Sequence, residues 1–186
     1  MNLERIAEDK ISLGIIWISS ENSTKKITDA RRRSWQRVIE KKYRRIEYQN
    51  NAGESCLGFC SETASDNEPF ALYIRDIFGD GAYYINEADD VNYILIINDG
   101  EVLEGTDIYV NDSFFEWYRK HTQSSKYSSL TWKCITMAHI NDVLEANFLH
   151  RQSINKRKRT YFSVIVGVGV LCLTLFGFAL KIFMGN

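Results

Sequence analysis

The stretch from Asn92 to Val110, NYILIINDGEVLEGTDIYV, decides the fold. Five of its first six residues are apolar, which predicts a buried strand over Asn92–Ile97. Asn98-Asp99-Gly100 follows and is typical of a tight β-hairpin turn. We expect the chain to return as a second strand over Glu101–Val110, so the segment predicts a sheet.

Further elements are predicted on both sides of this hairpin. Apolar runs and turn signals predict strands at Ile11–Ile18, Arg45–Gln49, Ser55–Glu62, Ala82–Asn86 and Leu130–Met137. Helical spacing and capping signals predict helices at Ile27–Tyr43, after an Asp66 or Asn67 N-cap, from a Ser113-x-x-Glu116 capping box, and over Ile140–Phe148. Because strands and helices interleave, we expect an α/β or α+β fold with one mixed sheet and flanking helices. Trp17 lies in the most apolar strand, expected to be central, and is predicted to be a core residue.

A long apolar segment lies near the C-terminal end of the sequence. Residues 161–180 carry no charge, and twelve of the twenty are Leu, Ile, Val or Phe. Twenty helical residues cover about 30 Å, the thickness of a bilayer core, so the segment predicts a transmembrane helix. Four basic residues precede it and only Lys181 follows, which by the positive-inside rule places residues 1–160 in the cytoplasm. The four predicted membrane-anchoring residues are Lys156, Arg157, Lys158 and Arg159.

The predicted organisation has four parts, which differ in charge. They are an α/β domain over 1–150, a basic collar over 151–160, the span over 161–180 and a short tail over 181–186 across the membrane. Residues 1–50 have a net charge of +5, and residues 51–150 have a net charge of −12. The domain therefore has a basic head and an acidic body.

The sequence offers no constellation of residues for catalysis, cofactor binding or metal binding. It has no phosphate-binding glycine motif, and its three histidines are scattered. Cys56 and Cys60 lack a second pair for a zinc site and are predicted to be buried free thiols. The acidic residues around the hairpin are interpreted as one exposed strand face: Asp99, Glu101, Glu104 and Asp107. We therefore expect a protein that is not an enzyme and has no cofactor.

The basic helix predicted at Ile27–Tyr43 is the best candidate for binding a partner. Its arginines and lysines could dock an acidic protein or anionic lipid, or neutralise nucleic-acid phosphates, but they could equally form a solvated face. Protein docking is favoured over nucleic acid because the acidic body would repel DNA. The candidate partner-binding residues are Arg31, Arg33, Arg37 and Lys41, with Glu101 and Glu104 as a second face.

Four short motifs resemble the PilO-like accessory proteins of type IVb pilus systems. They are Gly14-Ile15-Ile16-Trp17, the basic helix ending near Tyr43, Glu54-Ser55-Cys56-Leu57-Gly58-Phe59, and the segment from Asn98 to Asp107. The resemblance implies a domain similar to one subdomain of an actin-like ATPase, in a bacterial inner-membrane protein with one span. It implies that the domain recruits and anchors the cytoplasmic hexameric pilus ATPase beside other inner-membrane platform proteins.

Two other functions remain open from the sequence. One is a membrane-anchored transcription regulator with a DNA-binding head. The other is a tail-anchored protein-interaction module, because the predicted span is followed by few residues.

Overall fold

The protein has a mixed α/β structure. The computed structural model describes residues 4–18, 37–39, 41–61, 66–86 and 90–184, with side chains between Ile6 and Thr174. The helices are α1 Glu4–Glu8, α2 Phe70–Phe78, α3 Asp112–Gln123 and α4 Met137–Met184. The strands are β1 Ile11–Ser12, β2 Ile16–Ile18, β3 Tyr43–Gln49, β4 Ser55–Ser61, β5 Glu68–Pro69, β6 Gly81–Asn86, β7 Val91–Asn98, β8 Glu101–Val102, β9 Ile108–Asn111 and β10 Trp132–Cys134. The chain divides into two compact units, Met1–Glu145 and Ala146–Asn186.

The strands form three sheets in the part of the chain that the structure describes, so the prediction of one mixed sheet is wrong. β1 and β5 form a parallel pair, and β2, β4 and β3 form an antiparallel sheet in that order. The largest sheet has the order β10-β6-β7-β8, with β9 also paired to β7. β10 runs parallel to β6, whereas the other pairs of this sheet are antiparallel.

The prediction that Ile11–Ile18 forms one central strand is wrong, because the segment is divided between two sheets. β1 pairs with β5, residues 13–15 are not in a strand, and β2 lies at the edge of the three-stranded sheet. Its apolar composition reflects burial among several elements, not a central position in one sheet. The prediction that Trp17 is a core residue is confirmed, since its side chain is 1% exposed.

β4 is the central strand of the three-stranded sheet and is covered on both faces. Cys56 and Cys60 pack into the main core, whereas Leu57 and Phe59 pack into a second cluster with Ile39. Side chains alternate between the two faces of a strand, which explains this division. The prediction that Cys56 and Cys60 are buried and form no disulfide is confirmed.

The predicted hairpin is confirmed over its first strand and turn. Asp99 and Gly100 form the turn with φ angles of 54° and 71°, both in the left-handed region that two-residue hairpin turns require. The carboxylate of Asp80 accepts hydrogen bonds from both backbone N–H groups, each at 2.9 Å. These bonds hold the turn of the hairpin against the turn that precedes β6.

The returning strand predicted over Glu101–Val110 is interrupted. β8 ends at Val102, and the chain turns at 103–107 before β9 begins at Ile108. The N–H of Thr106 donates to the carbonyl of Leu103 at 3.2 Å, and Gly105 and Asp107 both have positive φ angles. Left-handed residues break the extended backbone, so the predicted strand becomes two short strands.

The predicted helix boundaries shift by a few residues. α2 begins after Pro69, whose extended backbone has no capping side chain, so neither Asp66 nor Asn67 is its N-cap. α3 is capped by Asn111, whose Oδ1 accepts a hydrogen bond from the N–H of Phe114 at 2.9 Å, so the predicted capping box at Ser113 is wrong. Asparagine satisfies the first unpaired N–H groups of a helix well. Of the helix predicted over Ile27–Tyr43, the described residues 37–39 and 41–42 are helical, and Tyr43 begins β3.

Within the residues that the structure describes, no helix contains a segment both long and apolar enough to cross a membrane. This finding contradicts the predicted transmembrane helix at 161–180 and the predicted single-pass inner-membrane localisation. Side chains of α4 are described as far as Thr174. The side chains of the remaining predicted span lie outside the described residues.

Candidate functional site

The carboxylate of Asp107 is the most highly connected buried polar group that the structure describes. Oδ1 accepts hydrogen bonds from the N–H of Gly14 at 2.8 Å and from the hydroxyl of Tyr93 at 2.6 Å. Oδ2 accepts from the N–H of Ile15 at 3.0 Å and from Nε1–H of Trp17 at 2.9 Å. Asp107 is 0% exposed, so these four donors replace the water that a carboxylate would otherwise bind.

Burial and hydrogen bonding act in opposite directions on this carboxyl. Burial raises the pKa of Asp107 to about 6, although the hydrogen bonds from Tyr93, Gly14, Trp17 and Ile15 lower it. The pKa of the Tyr93 hydroxyl is raised well above its ordinary value, first by burial and then by the charge of Asp107. Tyr93 is the one donor of the four that can also accept a hydrogen bond. A protonated Asp107 can therefore donate to Tyr93 and keep its other three partners.

The four donors come from two separate parts of the chain. Gly14, Ile15 and Trp17 lie at and before β2, ninety or more residues away from Asp107 in sequence, whereas Tyr93 lies on β7, fourteen residues away. Gly14 has a φ angle of 74°, which presents its N–H and that of Ile15 side by side. One carboxylate therefore joins the residues around β2 to the largest sheet.

The indole of Trp17 extends this connection to the other strands of its sheet. Its ring meets the Tyr48 ring edge to face with centroids 5.4 Å apart, and the Tyr48 hydroxyl accepts a hydrogen bond from the N–H of Val102 at 2.9 Å. Trp17 lies directly opposite Gly58 on β4. A Cβ atom at Gly58 would lie 2.5 Å from Cζ3 of the indole, so only glycine leaves room for this ring.

The Gly14-Ile15 donors have the form of an anion-binding loop. Consecutive backbone N–H groups beside a glycine in the left-handed region are the donors with which such loops bind phosphate. Here both N–H groups bind Asp107, and the site is fully buried. The chain's own carboxylate therefore occupies the position that an external anion would take.

A second candidate site is the exposed aromatic surface of α3. Phe114 is 58% exposed and Trp117 is 54% exposed, although both have large apolar rings. The imidazole of His121 stacks on the Trp117 indole with centroids 5.0 Å apart and planes inclined by 4°. Phe114 meets the same indole edge to face at 6.4 Å. We call Phe114, Trp117, Lys120 and His121 the α3 face.

The opposite side of α3 is fixed to the largest sheet. Phe115 packs against Trp132 at a centroid distance of 5.7 Å and against Tyr84 at 5.3 Å. The hydroxyl of Tyr118 donates to the carbonyl of Gly105 at 2.7 Å. These contacts orient the helix, so the α3 face is presented on a rigid element.

The predicted partner-binding residues are only partly described. Arg31 and Arg33 lie outside the described residues, whereas Arg37 and Lys41 are exposed. Glu101 is half-buried on β8, and Glu104 is exposed in the turn after it. The structure therefore leaves both predicted faces as predictions. Lys156, Arg157, Lys158 and Arg159 are exposed on α4 within the second unit.

The prediction that Asp107 lies on an exposed acidic strand face is wrong. Glu104 is exposed, but Asp107 is completely buried. The alternation of acidic residues carried no signal for this difference, since the donors are distant in sequence. The motifs Gly14–Trp17 and Asn98–Asp107 are far apart in the sequence, and their contact follows only from the fold.

Within the described residues, no group of three His, Cys, Asp or Glu side chains is arranged to hold a metal ion. Cys56 is buried, and burial raises the pKa of its thiol, which disfavours the thiolate that binds metals. Cys134 is exposed and a free thiol.

No family model, curated protein or solved structure matches the chain.

Proposed function

We propose that the unit over 1–145 is a non-catalytic docking domain that recruits a protein partner. The observation that carries the proposal is the exposure of Phe114 and Trp117 on a helix whose other side is anchored. Large aromatic side chains dominate the binding energy of many protein interfaces, and contiguous exposed apolar surface often marks an interaction site. A rigid helix reduces the entropy lost when a partner binds.

The hydrogen bonding of Asp107 supports a role without catalysis. A buried carboxyl with a raised pKa is otherwise a candidate for acid–base chemistry. Both oxygens of Asp107 are already bound by two donors each, and the residue is 0% exposed. A substrate atom has no access to it, so its role is to hold the fold together.

The partner that we propose is a hexameric pilus ATPase. This choice rests on the resemblance of four short motifs to PilO-like accessory proteins, and the exposed aromatic surface is compatible with it. The domain would then hold the ATPase in place, and the ATPase would supply the energy of nucleotide hydrolysis.

Co-purification with a purified pilus ATPase tests the proposal. We expect the tagged full-length chain to retain the ATPase and to hydrolyse no ATP alone. Trp117→Ala should reduce retention, whereas Ile77→Ala, which removes a 39% exposed side chain on α2, should leave it unchanged. Failure to retain the ATPase, or tight binding to duplex DNA with a steep salt dependence, would refute the proposal.

A further inference from the structure

We propose that the α3 face binds an acidic, partly apolar segment of a partner protein. This inference rests on the docking function proposed above and adds the chemistry of the partner. It follows from two observations, the stacked aromatic surface and the charge that surrounds it.

The charge around α3 is opposite to that of the preceding chain. Residues 112–134, which begin with α3, contain four basic residues and two acidic residues, whereas residues 66–111 contain eleven acidic residues and one basic residue. Of the two acidic residues, Asp112 accepts a hydrogen bond from the side-chain amide of Asn92 at 2.6 Å, and Glu116 lies 3.9 Å from Arg119. The helix and the turn after it form a basic segment in an otherwise acidic body.

Lys120 lies where it can contact a segment seated on the aromatic rings. Lys120 follows Trp117 by three residues, which places both on the same side of the helix. It is exposed, as is His121, which stacks on the indole. In the turn after α3, Nζ of Lys126 lies 5.0 Å from the centroid of the Tyr127 ring. A segment with apolar side chains over Trp117 and carboxylates beside them would match both features.

A protein segment fits this surface better than nucleic acid does. Aromatic rings beside lysines also bind single-stranded nucleic acid, through base stacking. A nucleic acid carries its charge along its whole length, however, and the acidic residues at 66–111 would repel it. A short acidic segment can remain within the basic region, because charges are screened over about 8 Å at physiological salt.

Two synthetic peptides test the inference. Each carries leucine and phenylalanine at the same helical positions, with glutamate at the others in one peptide and lysine in the other. Titration of the full-length chain should show that the acidic peptide binds at least about tenfold more tightly than the basic one. Its affinity should fall as salt rises, because the charges are exposed.

Three variants locate the binding site. Trp117→Ala should weaken binding of the acidic peptide by about tenfold or more. Lys120→Glu combined with Lys126→Glu should remove the preference for the acidic peptide over the basic one. Lys10→Glu combined with Arg45→Glu makes the same change of charge on two exposed basic residues elsewhere in the unit and should have no effect. A thermal melt of each variant, unchanged within a few degrees, shows that these exposed substitutions leave the fold intact.

Four results would overturn the inference. The first two are equal affinity of the chain for the two peptides and no binding of either peptide at about 1 mM. The third is a Trp117→Ala variant that binds the acidic peptide as tightly as the original protein does. The fourth is tighter binding of single-stranded RNA than of the acidic peptide. If the chain retains the pilus ATPase while any of these results holds, the docking function survives and only the assignment of the partner's chemistry fails. If it retains no ATPase but binds the acidic peptide through Trp117, the ATPase is not its partner, and the α3 face is still supported as a binding site for an acidic segment.

Discussion

The indole Nε1–H of Trp17 donates to the carboxylate of Asp107 at 2.9 Å, across ninety residues of sequence. This bond joins an edge strand of the three-stranded sheet to the turn that precedes β9. Together with the bonds from Gly14, Ile15 and Tyr93, it gives the main core a fully satisfied polar centre. A satisfied buried network favours one arrangement of the sheets, because any displacement leaves a buried charge without partners.

Replacement of Asp107 by asparagine should lower the free energy of unfolding by about 2–4 kcal/mol. The amide group of asparagine presents a donor where the carboxylate accepts, so at least one of the four hydrogen bonds is lost. Chemical denaturation of the full-length chain measures the loss. A variant as stable as the original protein would contradict the network as described.

A comparison of the original protein with the Asp107→Asn variant also tests the pKa of Asp107. Because its folded pKa of about 6 lies above the ordinary 3.8, the folded state holds the proton more tightly than the unfolded state does. The resulting stabilisation is complete below pH 3.8 and is lost as the pH rises through 6. The stability difference between the original protein and Asp107→Asn should therefore be larger at pH 4 than at pH 7, by at most about 3 kcal/mol. A difference that grows toward neutral pH would contradict the raised pKa.

Removal of the Asp107 side chain should create a site for a small anion. Asp107 has a φ angle of 63°, so Asp107→Gly introduces no backbone strain and leaves the four donors without an acceptor. Formate has the size of the missing carboxylate, and it should raise the melting temperature of the variant but not that of the original protein. Chloride at the same ionic strength is the control. An equal effect of formate on both proteins would show that the donors do not form a preorganised cradle.

Gly58→Ala should destabilise the protein by about 1–3 kcal/mol, because the added methyl group overlaps the Trp17 indole. The cost should shrink in a Trp17→Phe background, where the smaller ring leaves space. A double-mutant cycle measured by chemical denaturation gives the coupling between the two positions. Additive effects would mean that Gly58 is needed for a reason other than the indole.

The two sides of α3 should respond differently to truncation. Phe115 packs between Tyr84 and Trp132, so Phe115→Ala should cost about 2–4 kcal/mol of stability. Trp117 is more than half exposed, so Trp117→Ala should cost less than about 1 kcal/mol. Thermal and chemical denaturation compare the two variants. A large loss from Trp117→Ala would mean that the indole is structural and would remove the basis of the proposed docking surface.

The sequence by itself determined several local elements of this protein. Strand propensity and turn chemistry were sufficient for β3, β4, β6, β7 and the Asp99-Gly100 turn, because their hydrogen-bonded neighbours lie close in sequence. The aromatic composition of α3 was also visible. Which of its rings face outward required the structure, since Phe114 and Phe115 are adjacent and only the second packs against Trp132.

The tertiary structure decided how the strands divide among sheets and what Asp107 does. Ile11–Ile18 has the composition of one buried strand, but its two halves pair with β5 and β4 in different sheets. The acidic residues Glu104 and Asp107 are equivalent in a pattern of charge, yet one is exposed and the other accepts four buried hydrogen bonds. A carboxylate is buried only where distant donors converge on it, and that convergence is created by the folding of residues more than ninety positions apart.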